Sequence, residues 1–275
     1  MIKLLKRIIS NILTKRGLRI ISLSSIYLEM EITPKDKVIS LIETLKPIKT
    51  NFDLIRLGPK ADGGYLVPND LDNINACFSP GVAEVSEFEL DCYNKGMQLF
   101  LADKSVAKPN LGIKEDKYSF LKKYIGITNN DDFITMDEWV KSNGINSDDD
   151  LLLQMDIEGA EYFTFLNMSD KLLKQFRIIV IEFHQLEKLW SYDFFKVAEA
   201  VFNKLNQTHS CVHIHPNNYC GIYDKFGVEI PKLAEFTFIR KDRIKSEEKS
   251  TYFPHRLDFD NTPNKTVILP EQWYK

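Results

Sequence analysis

Acidic and histidine side chains stand directly after several short apolar runs of this chain. The runs cover residues 97–102, 151–155 and 178–181, and the polar residues that follow them are Asp103, Asp156, Glu182 and His184. Carboxylates and imidazoles are the usual general acids and bases of enzymes. Asp156 and His184 can therefore provide a catalytic base and the partner that orients it.

An earlier apolar run, at residues 76–78, is followed by the turn Ser79-Pro80-Gly81. Its single glycine predicts a point where the chain passes close to a ligand. The turn contains neither G-x-G-x-x-G nor a Walker phosphate loop, so a diphosphate cofactor is disfavoured. Glu87 lies among acidic residues at the start of the next helix, where a cation such as the sulfonium of S-adenosylmethionine is favoured over a phosphate. About 20 residues beyond the turn, Asp103 can accept hydrogen bonds from both hydroxyls of a ribose.

Two histidines, His213 and His215, alternate with apolar residues and so lie on one face of a predicted strand. Three roles fit them. They can form a polar face hydrogen-bonded to its neighbours, act as a base or contact a substrate, or hold a divalent metal together with Asp156, Glu182 or His184.

The elements that position these residues follow from the hydrophobic pattern. Short apolar runs alternate with helical patterns at 84–95 and 192–205, which indicates parallel strands covered on both faces. Residues 211–215 and 234–239 alternate with period two and predict antiparallel edge strands. The predicted fold is α/β: a Rossmann-like, doubly wound, mostly parallel sheet behind a helical N-terminal extension. Ligands of such sheets bind at the carboxyl ends of the strands.

Four stretches of the sequence resemble one known family. The most specific is MDIEGAE at 155–161, and RLGPKADGGY at 56–65, VHIHPNN at 212–218 and PKLAEFT at 231–237 accompany it. Together they resemble the FkbM-type S-adenosylmethionine-dependent methyltransferases over about residues 53–240. The resemblance implies a Rossmann-like domain that methylates an oxygen, or sometimes a nitrogen, of a sugar, surface-glycan precursor or related phosphorylated metabolite.

The resemblance also assigns site residues. Ser79, Gly81 and Val82 match the cofactor turn, Asp103 the ribose-binding acid, and Asp156 the acid beside the reacting methyl group. Many methyltransferases have two or three glycines in this turn, and this chain has one. The predicted sets are, for the cofactor, Ser79, Gly81, Val82, Glu87, Asp103, Lys104 and Asp156; for catalysis, Asp156, His184 and His215; for the acceptor, Tyr65, Glu158, His213 and Asn217.

Composition limits the partners. The 275 residues carry a net charge of −3, which gives no reason to expect a nucleic acid as partner. Residues 1–19 nevertheless hold six basic side chains and no acidic one. Residues 1–13 form an amphipathic pattern, and such a helix can pack on the protein or a partner, or make peripheral contact with an anionic membrane surface.

The simplest domain division is a helical extension at 1–50, a methyltransferase domain at 51–245 and a C-terminal tail at 246–275 packed on the domain. No run approaches the ~20 apolar residues that span a bilayer. The four cysteines lack a C-x-x-C pair, so we expect a cytoplasmic protein, with association at the inner face of the membrane as an alternative. Two competing functions are a non-catalytic scaffold that keeps the methyltransferase fold and a nucleotide-dependent enzyme.

Overall fold

The computed structural model describes residues 32–82, 86–245 and 248–275. The amphipathic helix predicted at 1–13 and the rest of the basic segment lie outside the described residues. No helix within the described ranges is long and apolar enough to cross a membrane.

The chain forms strands and helices in alternation. The strands are β1 (Leu54–Leu57), β2 (Tyr65–Pro68), β3 (Ala76–Pro80), β4 (Gln98–Ala102), β5 (Tyr118–Leu121), β6 (Tyr124–Gly126), β7 (Phe133–Thr135), β8 (Leu151–Met155), β9 (Phe176–His184), β10 (His209–Pro216), β11 (Ile222–Lys225), β12 (Val228–Pro231) and β13 (Leu233–Arg240). The helices are α1 (Lys35–Thr44), α2 (Glu87–Asn94), α3 (Met136–Ser142), α4 (Glu161–Asn167), α5 (Asp170–Leu173) and α6 (Tyr192–Thr208).

Seven strands form the central sheet in the order β10-β13-β9-β8-β3-β4-β5. The pairs β9-β8, β8-β3, β3-β4 and β4-β5 are parallel, so the predicted α/β class with a mostly parallel sheet is confirmed. β13 pairs antiparallel with both β9 and β10. β13 is thus the one reversed strand of this sheet, and β10 at the edge again runs in the direction of the parallel strands.

Apolar side chains cover both faces of the sheet, which explains the unbroken hydrophobic runs of its strands. All five residues of β8 are buried, and β9 is buried until its last residue, His184. Along one side of α6, Phe195, Phe202 and their buried neighbours pack towards the face of the sheet that carries Phe183. The opposite face packs against α2 and against the hairpin of β1 and β2.

The C-terminal segment, residues 248–275, lies against the domain. Trp273 is fully buried and its indole N–H donates to the carbonyl oxygen of Glu229 at 3.0 Å. Further along the same segment, Asp258 and Asn261 hydrogen-bond to His213 and Glu235, which lie on the last two strands of the sheet. Residues distant in sequence thereby complete the polar environment beside the carboxyl end of β9 and the adjoining amino end of β13.

Candidate active site

A cavity of about 450 Å³ opens at the carboxyl ends of β3, β4 and β8. This is the edge at which ligands of open α/β sheets bind. Three predicted cofactor residues, Gly81, Asp103 and Asp156, line it together with the predicted acceptor residue Glu158. The remaining lining residues are Ala102, Ser105, Tyr124, Ile125, Phe133, Ile157 and Ala160.

Gly81 is required by the backbone around this cavity. Its φ is +88°, and a Cβ atom on it would lie 1.5 Å from the carbonyl oxygen of Asp156. The sequence predicted that this glycine permits close approach of a ligand. The structure shows that it permits close approach of the turn after β8, which carries Asp156.

We expect Gly81→Ala to disrupt the carboxyl edge of the sheet. The new methyl group has no room beside backbone that cannot rotate away, and the positive φ adds strain. The predicted loss of unfolding free energy is about 4 kcal/mol or more, at the upper end of single substitutions. Urea denaturation measures it, with Gly144→Ala as the control, because Gly144 also has a positive φ but open space around it. Equal losses in the two variants would contradict the steric argument.

Asp103 is held in a fixed orientation at the end of β4. Its side chain is buried, and Oδ1 accepts from the backbone N–H and the hydroxyl of Ser105, both at 2.7 Å. Within the described residues, Oδ2 makes no hydrogen bond and stays available. Across the cavity, Tyr124 and Phe133 bring their ring centroids to 5.6 Å, with both side chains partly exposed. The cavity thus combines a carboxylate for hydroxyl groups with an aromatic wall for a planar ring.

His184 ends β9 next to this cavity, and its ring is fixed by Glu161. Its Nδ1 lies 3.1 Å from Oε1 of Glu161, a fully buried carboxylate that also accepts from the backbone N–H groups of Ile157 and Gly159. The other ring nitrogen, Nε2, lies 3.4 Å from Glu158 and 3.8 Å from Oδ1 of Asp156. Asp156 and His184 therefore meet, as the sequence predicted.

The pKa values of Asp156 and His184 are both raised, for different reasons. Burial raises the pKa of Asp156 to about 6, against the lowering effect of the nearby His184. For His184, burial lowers the pKa, but the hydrogen bond to Glu161 and the carboxylates of Asp156 and Glu158 outweigh it and raise the pKa to about 8. Oδ1 of Asp156 is buried and has no hydrogen-bond partner among the described residues. An ionised carboxylate beside a charged imidazole is thus available near neutral pH.

A second polar cluster continues from Asp156 across the sheet. Glu182 on β9 lies opposite Glu235 on β13, and Glu235 lies opposite His215 on β10. Both glutamates are buried, and burial raises the pKa of Glu182 well above its usual range and that of Glu235 to about 7. Asn217 donates to Glu182 at 2.8 Å.

Four predicted cofactor residues lie outside the cavity lining. Ser79 is fully buried and donates to Glu89 at 2.6 Å or to Gln154 at 2.7 Å. Val82 is buried in the hydrophobic core, Glu87 is an exposed residue at the start of α2, and Lys104 pairs with Asp132. Ser79 and Val82 therefore pack beneath the turn and do not border the cavity.

The two strand histidines are not beside Asp156. Nε2 of His213 lies 2.8 Å from Asp258, and Nδ1 of His215 lies 3.7 Å from the same carboxylate. Three strand spacings, roughly 14 Å, separate β10 from β8. His215 therefore does not join the pair of Asp156 and His184, and the described residues place neither histidine in a cluster of potential metal ligands. Hydrogen bonding to a neighbour, one of the three roles that the sequence left open, is observed for His213. Nε2 of His215 is buried and has no hydrogen-bond partner among the described residues.

The sequence alone did not identify several residues of the site. Tyr124, Phe133 and Ser105 stand in an irregular polar stretch, where no pattern distinguishes a cavity wall from a loop. Glu161 stood within MDIEGAE, but a glutamate at a helix start is equally typical of a cap. Tyr65, predicted to contact the acceptor, is buried, and its hydroxyl accepts from Gln154 at 3.2 Å.

The fold and a direct match to a family model point to the same kind of protein. The family model described as the methyltransferase FkbM domain matches residues 84–212, a segment that runs from α2 into β10 and contains Asp103, Asp156 and His184. The match covers 129 of the 275 residues, slightly less than half of the chain, and it supports the resemblance to the FkbM-type methyltransferases. No curated protein matches the chain.

Proposed function

We propose that the protein is an S-adenosylmethionine-dependent methyltransferase that acts on an oxygen, or a nitrogen, of a sugar, surface-glycan precursor or related phosphorylated metabolite. The observation that supports this most directly is the cavity beside β3, β4 and β8, which brings Gly81, Asp103 and Asp156 together next to His184. The methyltransferase family supports the same reaction.

The side chains around this cavity suit each part of S-adenosylmethionine. Asp103, oriented by Ser105, offers Oδ2 to ribose hydroxyls, and the rings of Tyr124 and Phe133 offer an apolar surface for the adenine. The carboxylate of Asp156 favours a cationic ligand over a phosphate. When bound, S-adenosylmethionine supplies a methyl group on a positively charged sulfur.

The remaining chemical need is removal of a proton from the acceptor. A sugar hydroxyl is a weak nucleophile at neutral pH, and a positioned base is typical for its activation. We assign this role to Asp156, whose Oδ1 has no hydrogen-bond partner in the described part of the chain, with His184 as the neighbour that stabilises and orients the carboxylate. Glu161 in turn fixes the imidazole through Nδ1. Of the four predicted acceptor contacts, Glu158 borders the cavity, and Asn217 lies beside Glu182.

Isothermal titration with S-adenosylmethionine and with its demethylated product tests the proposal. We expect one molecule of either to bind per chain. Asp103→Asn should weaken both affinities by about 10- to 100-fold, because it removes charged hydrogen bonds to the ribose. Asp116→Asn, an exposed carboxylate in a short helical turn away from the cavity lining, is the matched control.

Absence of binding by folded protein would contradict the proposal and favour the competing hypothesis of a non-catalytic scaffold. If both compounds bind, the acceptor remains to be found. Incubation with labelled cofactor and an extract of the host, followed by identification of the labelled product, identifies its class.

A further inference from the structure

The N-terminal segment of the chain joins the described structure at the same edge of the sheet as the candidate active site. Ile32, the first described residue, forms an isolated antiparallel bridge with Ser191. Ser191 immediately precedes α6, which begins beyond the carboxyl end of β9 and returns to the amino end of β10. Residues 1–31 therefore connect to the domain beside the carboxyl edge of the sheet, where His184 and the cavity lie.

Lysine and aromatic side chains surround this junction. Lys35 donates from Nζ to the carbonyl oxygen of Phe226 at 2.7 Å, and Nζ of Lys225 lies 5.5 Å from the centre of the Phe226 ring. Two further lysines lie over the ring of Tyr192, at 5.3 and 4.6 Å. We call these residues the lysine–aromatic patch: Lys35, Lys37, Tyr192, Lys196, Lys225 and Phe226.

Large apolar side chains are exposed along the same edge. Phe226 is 59% exposed, and Tyr219, which follows the carboxyl end of β10, is 72% exposed. Tyr124 and Phe133, the aromatic wall of the cavity, are 42% and 38% exposed. Single exposed apolar residues are ordinary on protein surfaces. Aromatic rings next to lysines, however, are typical of surfaces that contact a membrane–water interface, because each has an apolar body and a polar end.

The sequence that leads into this edge is strongly basic. Residues 1–19 hold six basic side chains and no acidic one, and residues 20–31 add only two acidic ones, so the segment has a net charge of +4. Three aspartates accompany the lysines of the patch in sequence or in an ion pair: Asp36, Asp193 and Asp224. The positive charge at this edge therefore comes mainly from residues 1–19. Such a basic segment is attracted to anionic lipid headgroups, and the amphipathic pattern at 1–13 suits the interface beneath them.

We propose that residues 1–19 and the lysine–aromatic patch dock on an anionic membrane surface, and that a lipid in this surface carries the methyl acceptor. The assignment of the acceptor rests on the proposed function. The cavity opens at the edge that docks, so an acceptor anchored in the membrane reaches Asp156 without leaving the surface. A freely diffusing metabolite requires no such orientation.

Sedimentation of the full-length protein with vesicles tests the docking without cofactor or acceptor. The vesicles contain phosphatidylcholine alone or with about 30% phosphatidylglycerol, and we expect about tenfold or more tighter binding to the anionic ones. Binding should fall steeply when NaCl is raised from about 0.1 M to about 1 M, because the salt screens the attraction. Absence of binding to anionic vesicles would overturn the proposal, and so would equal binding to both kinds.

Two triple variants remove the same charge from different parts of the chain. The first carries Lys3→Gln, Lys6→Gln and Arg7→Gln, and should bind anionic vesicles about tenfold or more weakly. The matched control changes exposed lysines in the segments that lead into β4, β8 and β9, and carries Lys95→Gln, Lys141→Gln and Lys171→Gln. It should keep the original affinity. Equal affinities of the two variants would show that the basic segment does not bind the lipid.

A substitution in the patch tests which edge faces the membrane. Phe226→Asn should weaken vesicle binding by about threefold to tenfold, because an exposed ring no longer leaves water on docking. Asparagine tolerates the positive φ of this position, so we expect the fold to be kept. The control is Tyr252→Asn, which removes a ring that is 79% exposed in the C-terminal segment. Equal binding by these two variants would overturn docking through this edge.

The acceptor is tested by separating an extract of the host into membranes and soluble material and incubating each with labelled S-adenosylmethionine and the protein. We expect the labelled product in the membranes and, after solvent extraction, in the organic phase. Label in the soluble material alone would overturn a lipid-carried acceptor. Failure to bind S-adenosylmethionine in the titration above would instead contradict the proposed function, and the vesicle measurements, which use no cofactor, would still decide the docking.

Discussion

Asp156→Asn should lower kcat by about 10²- to 10⁴-fold, the range expected when a general base is removed. Asparagine preserves the size of the side chain, but its neutral amide cannot act as the base that takes the proton from the methyl acceptor. Because Asp103 and the aromatic wall are unchanged, cofactor affinity should change by less than about tenfold. Stopped assays of methyl transfer from labelled cofactor, combined with calorimetric titration, separate the two effects.

The control is Asp148→Asn, an exposed carboxylate just before β8 at the opposite edge of the sheet. It should keep the original rate. An unchanged rate in Asp156→Asn would remove this residue from the mechanism, and a parallel loss of rate and cofactor affinity would assign it to cofactor binding alone.

Arg177→Leu should lower the free energy of unfolding by about 3 kcal/mol, as expected for breaking a buried ion pair. Arg177 is 5% exposed at the start of β9, where its Nε donates to Asp150 at 2.8 Å. Its guanidinium also donates to the carbonyl oxygens of Asp70 and Asp72. Leucine leaves these acceptors without their shared donor. Arg243 still pairs with Asp70 and limits the loss.

Urea denaturation followed by circular dichroism measures this loss. Lys196→Gln is the matched control, because Lys196 pairs with Asp193 at 3.2 Å but both side chains are largely exposed. Such surface pairs contribute less than about 1 kcal/mol. A loss in Arg177→Leu no larger than in the control would show that the network at the amino edge of the sheet does not stabilise the fold.

The central sheet could be predicted from the sequence because its strands are buried on both faces. Continuous apolar runs such as 151–155 and 178–181 have no other simple explanation once helical patterns separate them. The same logic placed Asp103 and Asp156 correctly, since a polar residue directly after a buried strand must emerge at its carboxyl end. The predicted helix at 192–205 is observed and extends to Thr208.

Lateral position within the sheet was harder to predict. His215 and Asp156 both stand near the carboxyl ends of predicted strands. The local sequence does not show that β13 and β9 lie between those two strands. The pairing of His213 with Asp258, 45 residues further on, depends on the path of the C-terminal segment. Contacts of this kind are set by tertiary packing, for which hydrophobic periodicity carries no information.

The hydrogen bonds from Asp258 and Asn261 to the last two strands have a consequence for the order of events during synthesis. Every strand of the central sheet leaves the ribosome before these two residues do. Synthesis runs from the N-terminus at about 5–20 residues per second, so the residues of the sheet are available first. The nascent protein can therefore hold a nearly finished sheet, including the cavity at β3, β4 and β8, while Glu235 and His213 still face water. Their final partners, Asp258 and Asn261, reach the sheet together after its strands have been synthesised.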